Sequence, residues 1–155
     1  MKQLAPIREP DRKRRLAEFE RQCRERRIPL TPQRRILLRA VLEFQGHPTA
    51  DQVHAAPAVR RARISRATVY RTLEGLVRLG IISKACHPHG RVRYDGRVEQ
   101  HHHLICLECD AVVDIAAPGL DALSLPDTSA FGFEVDNYRV QLRGLCRRCR
   151  EKEGT

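Results

Sequence analysis

Residues 65–95 read SRATVYRTLEGLVRLGIISKACHPHGRVRYD, and the order of signals in this stretch decides the fold. Ser65 is a helix-capping residue type, and behind it Val69, Leu73, Leu76 and Val77 recur at the spacing that gathers them on one side of a helix over 66–79. Tyr70, Arg71, Glu74 and Arg78 fall on the other side, and Gly80 stops the helix. Two β-prone segments, 81–86 and 91–95, then flank HPHG (87–90), whose Pro and Gly set a turn. A helix that runs straight into a hairpin is the end of a winged helix-turn-helix, in which the last helix enters the major groove of DNA.

The segments upstream supply the helices such a module needs. Leu16, Phe19 and Cys23 lie at helical spacing within 12–27, which makes Cys23 a core thiol. Thr31 followed by Pro32 opens a second helix that carries Ile36, Leu37, Ala40, Val41 and Phe44 on one face and ends near Gly46. TADQ (49–52) is a capping-box pattern opening a third helix, with Val53 and Ala56 facing inward, before Pro57 and the arginines at 60, 61 and 63 interrupt it. The helix over 66–79 is then the fourth. On its outer face Tyr70 suits contact with thymine methyls and Arg71 suits phosphate or guanine, while Arg66 and Arg78 are placed to clamp flanking phosphates.

Charge divides the chain in the same place. Residues 1–95 carry 22 basic and 9 acidic side chains, whereas residues 96–155 carry 7 and 10. A basic half joined to a faintly acidic one is the distribution of a polyanion binder with a separate non-binding module. No apolar run approaches the roughly 18 residues of a membrane span, and the first fifteen residues contain no apolar signal region. The expectation is a cytoplasmic protein, with a DNA-binding domain over 1–94 and a second domain over 95–155.

That second domain has β-prone segments at 101–106, 111–115 and 133–143 and a short helix around 118–123. About 55 residues make a marginal core, so a staple or a partner subunit is expected. Four of the six cysteines form two Cys-x-x-Cys pairs, Cys106/Cys109 and Cys146/Cys149, separated by 36 residues. In a reducing compartment they are not disulfides. Four thiolates in tetrahedral array make a closed structural zinc site; iron in the same cage or a dithiol switch are the alternatives. Along a strand His101 and His103 project to one face, and His102, Leu104 and Cys106 to the other, which sorts imidazoles and thiolates into separate sites. Asp95 and Asp114 lie nearby in sequence. A His/carboxylate set suits Fe2+, Mn2+ or Zn2+ and exchanges metal more readily than a thiolate cage.

Taken together, SRATVYRTL (65–73), GHPTAD (46–51) and HHHLICLEC (101–109) resemble the ferric uptake regulator (Fur) family from about residue 16 to residue 149. The resemblance implies an α+β protein: an N-terminal winged helix-turn-helix domain plus a small α/β dimerisation domain with a four-cysteine zinc site at Cys106, Cys109, Cys146 and Cys149. It also implies a regulatory site of His47, Asp95, His101, His103 and Asp114, and a homodimer on an A/T-rich inverted repeat of double-stranded DNA. Asp at position 114, with three His and two Asp in the set, is most similar to the peroxide-responsive branch, where iron(II) and peroxide oxidise a ligand histidine, here His47 or His101. Zinc-sensing relatives carry a cysteine near position 95, which this chain lacks. A further site of the iron-uptake branch uses a histidine where this chain has Tyr138 and a ligand where it has Gln100, leaving His102 and Asp121 as half of it. The other functional expectations are iron, manganese or zinc homeostasis, a zinc-ribbon nucleic-acid adaptor, and a zinc hydrolase. A repressor and not an enzyme is expected, because the sequence has no HExxH or HxE general base.

Overall fold

Three short polar side chains start three helices. Thr31 Oγ1 accepts from Arg34 N at 3.3 Å, and Ser65 Oγ accepts from Thr68 N at 3.3 Å. At Thr49 the capping box is complete: Oγ1 accepts from Gln52 N at 3.2 Å, and the Gln52 side chain accepts from Thr49 N at 2.8 Å. The computed structural model describes residues 1–86 and 92–153. After a two-residue strand β1 (Lys2–Gln3) come α1 (Glu9–Glu25), α2 (Pro32–Glu43), α3 (Ala50–Ala55), α4 (Pro57–Arg61) and α5 (Arg66–Arg78). A hairpin of β2 (Ser83–Cys86) and β3 (Val92–Asp95) follows, then β4 (His102–Cys106), β5 (Val112–Ala116) and α6 (Pro118–Asp121). A 3-10 turn (Ser129–Phe131), β6 (Gln141–Gly144) and α7 (Arg147–Glu153) complete the described chain.

The chain forms two compact units, Ala5–Val98 and Met1–Leu4 with Glu99–Thr155. In the helical unit, Phe19 and Cys23 of α1, Leu37, Leu38, Val41 and Leu42 of α2, Val53, Val59 and Val69, Leu73 and Leu76 of α5 make one buried core. Burial raises the Cys23 thiol above its ordinary pKa, as an apolar surrounding must. The buried face of α2 is rotated from the expected one: Leu38 and Leu42 are buried, and Phe44, beyond the helix end, is 36% exposed. Pro57 does not simply interrupt; it opens the short helix α4 from its first position, where its missing N–H costs nothing. The helix expected to enter the major groove is therefore the fifth. The wing strands pair antiparallel, Ser83 with Asp95 through Cys86 with Val92. The expected turn at HPHG (87–90) lies outside the described residues.

The second unit is built on a sheet ordered β1-β5-β4-β6, with β4 antiparallel to β5 and parallel to β6. Strand β1 pairs antiparallel with β5 and was not foreseen, because two residues carry no periodicity. Of the strand expected over 133–143 only β6 forms. Gly132 turns the chain with φ +71°, and Phe131 and Phe133 stay 78% and 70% exposed. No described helix is long and apolar enough to cross a membrane.

Candidate metal centres and DNA-reading helix

The four cysteines meet because β4 and β6 run parallel, with Cys106 opposite Gly144. Cys106 ends β4, and the turn after it passes through Asp110 with φ +59° before Cys106 N donates to Ala111 O at 2.9 Å. Cys146 precedes α7, whose first turn carries Cys149. All four Sγ atoms lie within 4.8 Å of one another, and Cys109 and Cys146 are 3.8 Å apart. Backbone N–H groups of Cys109 and then Cys146 aim at the Cys106 sulfur and lower its pKa to about 6. Cys149 moves the other way, to about 12, mainly through burial and then through sharing the pocket with the other sulfurs. Four thiols so close cannot all ionise without a cation, and a tetrahedral divalent ion such as zinc relieves that conflict. The donor set therefore fits a structural zinc site.

The histidines follow the expected alternation. His101 and His103 share one side of β4 with their Nε2 atoms 3.1 Å apart, and both approach Asp114 Oδ1, at 3.8 and 3.6 Å. Register places Asp114 there, since it pairs directly with His103 across β4 and β5. The Glu99 carbonyl lies 2.7 Å from His101 Nδ1. A carbonyl only accepts, so Nδ1 carries the proton and the Nε2 lone pair is left toward His103 and Asp114, as a metal ligand requires.

In the helical unit a second half-set forms. His47 follows Gly46, whose φ of +99° bends the chain after α2, and β3 fixes the loop: Arg93 Nη1 donates to His47 O at 2.9 Å and Tyr94 N to Pro48 O at 2.9 Å. His47 Nε2 lies 3.7 Å from Asp95 Oδ1. Arg97 N donates to that same oxygen at 2.7 Å, and Ser83 Oγ donates to Oδ2 at 3.3 Å. The positioning residues Arg93 and Ser83 were missed by sequence reasoning, although period-two alternation puts Arg93 and Asp95 on one side of β3.

His102 points the other way, against Tyr138, with stacked rings 6.2 Å apart. Val140 N donates to His102 Nδ1 at 3.0 Å, so the ring proton is on Nε2 and is donated to Asp121 at 3.0 Å. The Tyr138 hydroxyl donates to Leu120 O and accepts from Leu123 N, and Gln100 donates to Tyr138 O. Both ring nitrogens of His102 are engaged by protein partners, Nδ1 by Val140 N and Nε2 by Asp121.

On α5, Val69, Leu73 and Leu76 are buried, while Arg66, Tyr70, Arg71 and Arg78 are exposed. Arg66 and Tyr70 both reach Asp51 of α3. His54 is half-buried on α3.

The model of the ferric uptake regulator family matches residues 25–143, well over half the chain. This chain belongs to the ferric uptake regulator family. Among its family relatives, the peroxide-responsive repressor PerR of Staphylococcus epidermidis is 30% identical over 137 residues, covering 88% of this chain and 91% of that one. The peroxide operon regulator of Bacillus subtilis is 31% identical over 138 residues, 89% of this chain and 95% of its own length. A solved structure of a zinc uptake regulator complexed with zinc and DNA superposes with a TM-score of 0.62 at 27% identity, covering 93% of this chain and 98% of that one.

Proposed function

We propose that this member of the ferric uptake regulator family is a metal-dependent, DNA-binding transcriptional repressor that senses peroxide through an Fe2+ or Mn2+ site. It acts in the cytoplasm as a homodimer on an A/T-rich inverted repeat. The observation that carries the proposal is the protonation of His101: its Nδ1–H is spent on the Glu99 carbonyl, which commits Nε2 to a ligand beside His103 and Asp114. A nitrogen and carboxylate set of this kind is chemically distinct from the thiolate cage and holds a more exchangeable ion.

In this proposal His47 and Asp95, from the helical unit, and His101, His103 and Asp114, from the sheet unit, hold one ion between them. Ligands drawn from a DNA-binding unit over 5–98 and a dimerisation unit over 99–155 restrict the two to one relative orientation, and in a dimer that sets the spacing of the two reading helices. Arg66, Arg71 and Arg78 meet phosphate or guanine, and Tyr70 meets thymine methyls. The exposed Phe131 and Phe133 supply apolar surface for the second protomer. Bound iron(II) supplies the redox chemistry that turns hydrogen peroxide into an oxidant. With the O–O bond of the peroxide broken, one oxygen would be inserted at a ring carbon of His47 or His101 and the other would leave as water; the oxidised ring would no longer be a good ligand, and DNA would be released. Five protein donors leave little room for a substrate, which is the case against an enzyme.

The likeness to a zinc uptake regulator favours metal homeostasis as a second reading. The test is fluorescence anisotropy on a labelled A/T-rich inverted repeat. Mn2+ is expected to raise affinity at least tenfold, with a steep fall as salt rises; equal affinity with and without metal contradicts the sensor. Iron-loaded protein treated with dilute hydrogen peroxide is expected to gain one oxygen on the peptide holding His47 or His101. No added oxygen, with DNA binding intact, leaves homeostasis as the function.

A further inference from the structure

Asp51 sits in the first turn of α3 and turns its carboxylate toward α5. Arg66 Nη2 lies 2.8 Å from each of its oxygens, and the Tyr70 hydroxyl donates to Oδ1 at 3.4 Å. Both neighbours, and Asp51 itself, are exposed. The guanidinium is held in its charged form by Tyr70 and by Asp51. An acidic residue in a first helical turn is favoured by the helix dipole, but that explains neither the span of fifteen residues to Arg66 nor the choice of partners. The complete capping box at Thr49 and Gln52 already satisfies the start of α3. A negative charge on the face that the proposed function turns toward DNA weakens phosphate attraction there, so its presence calls for a compensating role.

We infer that Asp51 is a specificity-determining residue, whose carboxylate holds Arg66 and Tyr70 in one fixed geometry and keeps Arg66 off phosphate on non-operator DNA. The inference rests on the proposed DNA-reading role of α5. On an arbitrary duplex, Arg66 can gain only a phosphate, and it must give up a carboxylate of similar chemistry to do so. The exchange returns little, and non-specific binding stays weak. On the operator, Arg66 exchanges the carboxylate for its DNA contact while Asp51 keeps the Tyr70 hydroxyl, so Tyr70 reaches base edges with its rotamer already restricted, which lowers the entropy lost on binding.

The test uses full-length, zinc-containing, Mn2+-loaded protein and two duplexes: an A/T-rich inverted repeat and a scrambled duplex of the same composition. Anisotropy titrations from 50 to 200 mM salt compare the parent with Asp51→Asn. The variant is expected to bind the scrambled duplex about three- to tenfold more tightly, with a salt slope steeper by about 0.9, the signature of one further phosphate contact. Operator affinity changes less, so the ratio of the two falls. Asp51→Ser, which keeps a short polar group in the first turn, is expected to match Asp51→Asn, and Asp51→Glu to restore the parent ratio. In an Arg66→Gln background the effect of Asp51→Asn is expected to vanish. Unchanged or weaker scrambled-duplex binding by both Asn and Ser variants overturns the inference, as does the same increase without Arg66. A parent protein that binds no duplex removes the functional proposal and this inference together; a parent that binds, with a silent Asp51, removes the inference alone.

Discussion

The thiolate cluster and the His/Asp ligands differ in how their donors are distributed. Cys106, Cys109, Cys146 and Cys149 all belong to one unit, at the ends of two hydrogen-bonded strands, with backbone N–H groups already aimed at Cys106. The His/Asp donors are split: His47 and Asp95 in the helical unit, and His101, His103 and Asp114 in the sheet unit. A closed set within one small unit can only stabilise that unit. A divided set, holding one ion as the proposed function has it, would make relative orientation depend on occupancy. The proposed function thereby gives stability and switching to different residue chemistries, soft sulfur for the permanent ion and imidazole with carboxylate for the exchangeable one.

The largest effect that tests this contrast is expected at Cys149. Cys149→Ser is expected to lose zinc and abolish the cooperative melting of the sheet unit in calorimetry, since structural zinc in small domains is worth about 10 kcal/mol or more. Retained zinc with an unchanged melt breaks the assignment. His101→Ala is expected to leave zinc content and melting intact while lowering Mn2+ affinity and metal-stimulated DNA binding at least tenfold, read by anisotropy against metal concentration. If zinc is lost as well, the two centres are not separable.

Effects in the scaffold are smaller. Thr49→Ala removes one arm of the capping box and is expected to cost about 1 kcal/mol in denaturant unfolding, with no change in bound zinc. Glu74 is held below the ordinary carboxylate range, first by the hydrogen bond from Lys84 and then by that from Tyr94. A depressed folded pKa means that its contribution is fully present above the unfolded value near 4.5 and is lost as pH falls through the lower folded one. The pair is more than a third exposed at Glu74, so the effect is small, at most about 0.5 kcal/mol. Glu74→Gln is expected to flatten the acid limb of stability between pH 5 and about 3; an unchanged limb assigns that loss to other carboxylates.

What was legible in the sequence was whatever a short-range signal encodes. The caps at Thr31, Thr49 and Ser65, the α5 faces and the alternation of His101 and His103 against His102 depend on residues a few positions apart. The Cys-x-x-Cys spacing likewise pointed to a four-sulfur cage. The rest is set at long range. Strand β1 exists only because β5 offers an edge, and α4 forms where a proline and an arginine cluster read as a break. Residues 133–140 form no strand although they alternate like one. Asp51 gave no sign of its contacts, because Arg66 is fifteen residues away and reaches it only when α3 and α5 pack together.

Small-angle scattering of the zinc-containing dimer with and without Mn2+ addresses the division of labour most directly. A narrower distance distribution with a shorter maximum dimension is expected when Mn2+ is added, with that change lost in His101→Ala. Superimposable curves with and without Mn2+, from protein that binds the ion, would contradict it.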